Sequence, residues 1–424
     1  MKMSAKFEGK KLLILGSNTG STDIVAYAKA NGATTIVADY YPPRQSAAKL
    51  IADRDYLIST GDLDRLSDLI NSEGIDGVIA GISEFNLLNA QKLSQIHKLP
   101  FYCTENQWRA IEDKIQFRSL CNTYNVPTPG TLYRGDYRYC PNPGQTDVVV
   151  KPADSSSSCG VSLRINNGGL QHAIEIAAAA SSNGQIIVEE YCSGDEFTAH
   201  YYIERGKAWL ICVDNRHPAT LHPGKTSLPI ARTYPCTFTS EYCAQVNPQM
   251  IQLCQSLNLE CAVLFVQGLY NASTHRFAIF EGGLRCAGEA AFRITAHTTG
   301  FNFLHRLVDY SLLGSRFAPN QARIDPLLAG KHCATISLAS AGGEISRFTG
   351  LEDIQSQVPS IINIEQRYYT GDTVPDGDTL RQLVLRFTLV CADANQLTTD
   401  IKRINSLVSI MSTSGQDISI KYIP

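Results

Sequence analysis

The stretch QIIVEEYCSGDEFTAHYYI, residues 185–203, decides how the rest of the chain is read. It opens as an apolar strand through Ile186, Ile187 and Val188, turns at Ser193-Gly194, and resumes as a second strand from Phe197 to Ile203. Glu189, Glu190, Tyr191 and Cys192 lie between the two runs, and Glu196 follows the turn. A strand ending in a carboxylate, an aromatic ring and free backbone groups suits adenine, and the second carboxylate, Glu196, suits ribose hydroxyls. A surface hairpin with ordinary acidic residues has the same composition, so the neighbouring segments must arbitrate.

Upstream, Asp113-Lys114 opens a helix that continues through Phe117, Arg118 and Leu120 and stops before VPTPG, residues 126–130. Lys151 ends the apolar strand DVVVKP, where an ammonium is costly unless an anion or water meets it. The small residues that follow, Ser155, Ser156 and Ser158 up to Gly160, leave backbone N–H groups free to wrap a polyphosphate, although a plain flexible loop reads alike. Downstream, AVLFVQGLYNASTHRFAIFEGGLRCAGEA, residues 262–290, reads as a hairpin. Gln267 and Glu281 on its two strands could clamp Mg²⁺ through oxygen donors, with the Arg285 guanidinium steadying a transferring phosphoryl group.

In order and spacing, these segments resemble the ATP-grasp superfamily, in the branch of carbamoyl-phosphate synthase, biotin carboxylase, D-alanine–D-alanine ligase and the L-amino-acid ligases. The resemblance implies that Lys114 and Lys151 hold the α- and β-phosphates and that Ser155 to Gly160 close over the triphosphate. It implies adenine at Glu189 and the backbone of Glu190, Tyr191 and Cys192, ribose at Glu196, metal at Gln267 and Glu281, and catalysis at Lys151 and Arg285. The cofactors implied are ATP with one or two Mg²⁺ ions, for which Mn²⁺ would also serve. The pattern departs at Gly283, where an asparagine is expected; the missing ligand must come from water, from another residue such as Glu289, or from nothing.

The flanking segments give the fold class, mixed α/β and α+β. Residues 1–112 alternate strands (KKLLILG, TTIVAD, GVIAG) with helices, the pattern of a Rossmann-like parallel sheet. The turn Gly16 to Gly20 lacks a full dinucleotide fingerprint, and Asp39 serves equally as a capping residue. The resemblance instead puts Gly16, Ser83 and Glu84 near the carboxylate or acceptor. Residues 113–318 form the expected ATP-grasp domain and 319–424 a small β-rich α+β domain. Arg216 and His217, read in a polar loop, are candidates for substrate or phosphate contact, or else ordinary exposed residues.

Composition bounds the function from outside. With 37 basic and 40 acidic side chains the net charge is −3, which offers no global field for nucleic acid or an anionic membrane. The apolar run Leu12 to Leu15 is too short for a signal peptide or membrane span, so a cytoplasmic protein is expected. Thirteen cysteines without a CxxC pair argue against a disulfide framework or a zinc site. The leading expectation is a carboxylate–amine (or carboxylate–thiol) ligase acting on small molecules through an acyl phosphate, in a chain whose relatives are often dimeric. A bicarbonate-activating enzyme of the carboxylase or carbamoyl-phosphate type and an ATP-binding protein with little catalysis are the alternatives.

Overall fold

The computed structural model describes residues 5–141, 147–154, 159–166, 168–219, 228–377 and 380–424. The first sheet is parallel, built from β1 (Lys11–Leu15), β2 (Thr34–Asp39), β3 (Arg54–Leu57) and β4 (Gly77–Ala80) in the order β3-β2-β1-β4. The runs KLLIL, TTIVAD and GVIA are buried because helices cover the sheet, as parallel sheets require. At the end of β1 the chain turns at Gly16, whose φ of +76° favours glycine and whose added Cβ would lie 2.3 Å from Asn86 Nδ2. Asp39 spends its carboxylate on this region, accepting from the Ser17 and Tyr41 backbone N–H groups at 2.8 and 3.1 Å.

The second sheet is antiparallel, with β5 (Thr131–Asp136), β6 (Val148–Pro152), β7 (Ser162–Ile165) and β8 (Gln185–Glu190) in the order β5-β8-β6-β7. The helix Leu170–Ala180 closes a small separate core on it, where Leu170, Ala173, Ile174 and Ala177 meet Val148, Val150, Ile186 and Val188. Ser155, Ser156 and Ser158 lie outside the described residues.

The third sheet organises the molecule. It contains β9 (Asp195–Glu204), β10 (Lys207–Ala219), β11 (Leu228–Tyr234), β12 (Cys261–Asn271), β13 (Arg276–Gly283), β14 (His332–Ser340), β16 (Ile361–Gln366), β18 (Leu383–Cys391) and β20 (Ser419–Ile420). Its order is β13-β12-β9-β10-β11-β14-β18-β16, with β20 beside β14. Because β11 pairs with β14, the sheet runs unbroken across the boundary expected near residue 318. A small sheet of β15 (Gly343–Thr349), β17 (Thr373–Val374) and β19 (Ser409–Ser412) packs beside it with the helix Ala394–Leu407.

Residues 185–203 form two strands about the turn at Ser193-Gly194 and not the alternative surface hairpin, since β8 and β9 belong to different sheets. Arg216 and His217 lie within β10 rather than in a loop, and residues 220–227 of that segment lie outside the described residues. All thirteen cysteines are free, and no helix among the described residues is long and apolar enough to cross a membrane.

Candidate active site

A cavity of about 1340 Å³ opens where the second and third sheets face each other. Gly160, Ser162 and His172 line it from the second sheet and its helix, Ser83 and Glu84 from the segment after β4, and Arg367, Arg381 and Arg386 from the C-terminal strands and their loop. Its wall on the third sheet is built by Arg216, Arg232, Phe265, Gln267 and Glu281, with Arg285 and Glu289 from the segment after β13. Strand alternation explains this assembly: the register pairs Glu281 with Gln267, Gln267 with Thr198, Thr198 with Asp214, and Arg216 with Arg232, so one face carries a continuous polar row.

Gln267 and Glu281 sit directly opposite each other on β12 and β13, both half-buried at the cavity wall. An amide oxygen and a carboxylate side by side are the hard donors a Mg²⁺ ion takes when substrate oxygens complete its shell, so this pair fits one such ion. Gly283, the next residue of β13 on the same face, supplies no donor. Glu289 faces a cationic pair instead, although its Oε1 has no hydrogen-bond partner among the described residues. Its carboxylate lies 3.6 Å from Arg232 Nη2 and 3.5 Å from His200 Nε2, while Arg232 Nη1 bonds Asp214 at 2.7 Å and also meets Thr198.

His200, Asp214 and Glu289 have metal-like spacing, but Arg232 and the His200 ring already pair with the two carboxylates. Burial alone would raise the Glu289 pKa and lower that of His200. Arg232 and His200 reverse the first, holding Glu289 well below the usual carboxylate range, and Asp214 and Glu289 reverse the second.

Lys151 and Glu189 are buried together. The Glu189 carboxylate takes an ion pair from Lys151 Nζ on one oxygen and from Arg118 Nη2, at 2.5 Å, on the other, and Arg118 also donates to Ile279 O at 2.8 Å. Burial lowers the Lys151 pKa, Glu189 acts in the opposite direction, and Arg118 and Lys114 add to the lowering. Two cations on one dry carboxylate leave positive charge uncompensated, which an anionic ligand would relieve. Lys114 opens the helix Lys114–Thr123, whose start is fixed by Asp113 accepting from Ile115 and Gln116 N–H at 2.9 Å; the Lys114 backbone N–H donates to Ala153 O at 3.3 Å.

Glu196 is held by Arg216, whose pKa falls to about 10 through burial and the neighbouring Arg232. Glu190, Tyr191 and Cys192 run from the end of β8 toward β9 with exposed or half-buried side chains. Lys114, Lys151 and residues 189–192 do not line the large cavity itself but flank it. His217 faces away from it: its Nε2 is 2.9 Å from Thr233 Oγ1 and its ring lies 4.7 Å from that of Tyr422, because adjacent strand residues point to opposite faces. Gly16 likewise belongs to the turn beside Asn86 and not to the cavity wall.

Arg285 lies 3.7 Å from Glu84 and stacks over the Phe265 ring at 4.9 Å. Glu84 opens the helix Glu84–His97 behind Ser83, whose hydroxyl accepts from Asn86 N–H at 3.4 Å. Behind Arg285, burial and the Glu84 charge push the Glu112 carboxyl up to about 8, although Arg285 and the Leu284 N–H, at 3.1 Å, favour its ionised form. The arginines Arg232, Arg367, Arg381 and Arg386 escape the sequence reading. The one available signal is a charge inside an apolar strand, as in IARTY and LVLRFTLV.

No family model matches the chain. Among curated proteins it is 27% identical over 193 residues to formate-dependent phosphoribosylglycinamide formyltransferase of Bacillus velezensis, covering 44% of this chain and 49% of that protein. The enzyme of the same name from Sulfurisphaera tokodaii is 27% identical over 219 residues, 47% of this chain and 52% of that one. The chain thus spans about half the length of the curated relatives it matches. Among solved structures, L-amino acid ligase from Bacillus licheniformis superposes with a TM-score of 0.78 at 14% identity, over 96% of this chain and 99% of that one. Biotin carboxylase from Campylobacter jejuni gives 0.75 at 13% identity, over 95% and 92%. Phosphoribosylglycinamide synthetase from Anaerococcus prevotii gives 0.74 at 14% identity, over 95% and 100%. The likeness runs from the N-terminal parallel sheet to the C-terminal strands, and the chain has the ATP-grasp fold.

Proposed function

We propose that this chain is an ATP-dependent carboxylate–amine ligase. A carboxylate oxygen takes the γ-phosphoryl group and ADP leaves; an amine then attacks the acyl carbon, phosphate departs and the amine proton passes to solvent. The observation that carries this reading is the meeting of Gln267, Glu281 and Arg285 on one wall of the large cavity, with the Lys151–Glu189–Arg118 cluster beside it.

In this reading Lys114 and Lys151 hold the phosphates of the nucleotide, residues 189–192 receive the adenine, and Glu196 receives the ribose. Gln267 and Glu281 would hold Mg²⁺, which when bound offsets phosphate charge and fixes the geometry of transfer. Arg285, steadied between Glu84 and Phe265, stabilises the charge of the reacting carboxylate. Catalysis is positioning and charge stabilisation, with no covalent nucleophile from the protein.

Six arginines (Arg216, Arg232, Arg285, Arg367, Arg381 and Arg386) line the cavity against three carboxylates, Glu84, Glu281 and Glu289. Glu196, Asp214 and Glu365 pair with Arg216, Arg232 and Arg386 from outside that lining, so what favours anionic substrates is the guanidinium donors turned to the cavity and not a net charge. Formate and a phosphate-bearing amine, the chemistry in the relatives' names, have this character. A second reading, a nucleotide-binding protein with little turnover, is favoured by the donor missing at Gly283.

ADP release measured with formate, amino acids, bicarbonate and phosphorylated or plain amines decides between them. Release that needs both a carboxylate and an amine is expected. ATP binding with background release throughout would reject the ligase, and release with bicarbonate alone would favour a bicarbonate-activating enzyme.

A further inference from the structure

Position 283 is glycine for want of space and not because its backbone demands it. Its φ lies outside the left-handed region, yet a Cβ built there would fall 2.3 Å from Cε1 and 2.5 Å from Cζ of Phe265. Phe265 is buried and is the register partner of Gly283 across the hairpin. A side chain at 283 therefore requires the ring at 265 to move.

Phe265 and Gln267 share one face of β12, as Glu281 and Gly283 share that face of β13. These four positions offer one carboxylate, one amide and one ring. Two divalent ions about 3.5–4 Å apart need a bridging carboxylate and further oxygen donors to offset their repulsion. Among the described residues, the only group of three metal-ligating side chains at suitable spacing is His200, Asp214 and Glu289, where Arg232 sits between the two carboxylates as the competing cation. Over the ring lies a different cation, the Arg285 guanidinium at 4.9 Å, a distance at which the ring face attracts it.

We infer that this chain takes a single divalent cation with its nucleotide, held by Gln267 and Glu281, and that Phe265 and Arg285 stand in place of a second. The inference rests on the ATP reading proposed above. It makes Phe265 a positioning residue: the ring closes the donor site at 283 and supports Arg285.

Counting Mn²⁺ by the electron paramagnetic resonance of the free ion, with the protein saturated by a non-hydrolysable ATP analogue, tests it without turnover. One ion per wild-type chain is expected, none with Glu281→Gln, and two with the double variant Phe265→Ala/Gly283→Asn. Two ions on the wild type would overturn the inference while leaving the ATP reading intact. One ion on the folded double variant, and again on Phe265→Leu/Gly283→Ser, would overturn the role given to Phe265. A chain that binds no analogue would overturn the ATP reading, and the inference with it. The wild-type count decides the stoichiometry even if a variant fails to fold.

Discussion

Gln267 and Glu281 face each other across the hairpin of β12 and β13, in a register that irregularly shifts immediately after Gln267. The pairing sets a neutral oxygen donor beside a charged one at the cavity wall, so the two substitutions differ in weight. Glu281→Gln removes the one carboxylate of the pair and is expected to lower ADP formation by at least about 10²-fold, the scale of losing a main electrostatic contact in phosphoryl transfer. Gln267→Ala removes a neutral donor that water replaces, and a smaller loss, partly recovered at high Mg²⁺, is expected. Steady-state rates across a Mg²⁺ series test this. Equal losses from the two variants, both insensitive to Mg²⁺, would contradict the assignment.

Lys151 is an internal ion-pair member as well as a phosphate ligand in the proposed reaction. Removing it leaves Glu189 paired with Arg118 but its other oxygen without a donor, so Lys151→Ala should abolish ADP formation and also cost at most about 1–3 kcal/mol of stability, the penalty for an unsatisfied buried acceptor, less what is regained from the excess positive charge. Lys151→Arg keeps the charge but not the shape of the ammonium. It should retain more stability than activity. Urea unfolding beside an ADP-release assay separates the two effects, and a Lys151→Ala variant as stable as the wild type would refute the structural half.

How much of this was legible in the sequence follows from what kind of contact each feature needs. β1, β2 and β4 declare themselves as buried apolar runs, whereas β3, Arg54–Leu57, lies at the sheet edge with mostly exposed residues and gives no such signal. Apolar strands such as HCATISLAS announce burial but not a partner, so the β11–β14 pairing across the expected domain boundary was invisible. Lys151 could be read as a charge needing a partner, but not that the partner is Glu189, a residue the motif gives to adenine. The missing donor at Gly283 was plain, while its cause, the Phe265 ring on the facing strand, depends on register. His217 reads as a loop residue in the sequence, and without its place in β10 the face it points to is not legible.

Glu365 links three parts of the chain. Thr19 of the turn after β1 donates to it at 2.7 Å, Arg293 reaches it at 3.3 Å while also binding Asp23 at 2.7 Å, and the cavity arginines Arg367 and Arg386 lie 3.7 Å away. Replacing it by alanine leaves the buried Arg386 guanidinium without its carboxylate, while Arg293 keeps Asp23, and a loss of about 3–5 kcal/mol is expected. Glu365→Gln keeps hydrogen-bonding capacity and should cost less. Chemical denaturation of the two variants tests this order. A Glu365→Ala variant within about 0.5 kcal/mol of wild type, the usual size of an exposed-site effect, would show that the cluster is not a structural tie.

Glu112 predicts a pH dependence with a definite sign. Its carboxyl is pushed from its ordinary value of 4.5 up to about 8, first by burial and then by Glu84, with Glu281 adding to the rise and Arg285 opposing it. Between those two values the folded protein holds a proton that the unfolded chain has released, so this group makes stability fall as pH rises, by at most about 1.4 kcal/mol per pH unit. Below pH 4.5 both states are protonated and the effect vanishes; above 8 the full penalty is present. Glu112→Gln keeps an oxygen for the Leu284 N–H and cannot ionise. It should therefore be more stable than the wild type at pH 8 to 9 and nearly equal to it near pH 5, read as unfolding midpoints at matched ionic strength. Parallel pH profiles for the two proteins would mean that Glu112 is ionised in the folded state, and that Arg285 dominates over burial and Glu84 at this carboxylate.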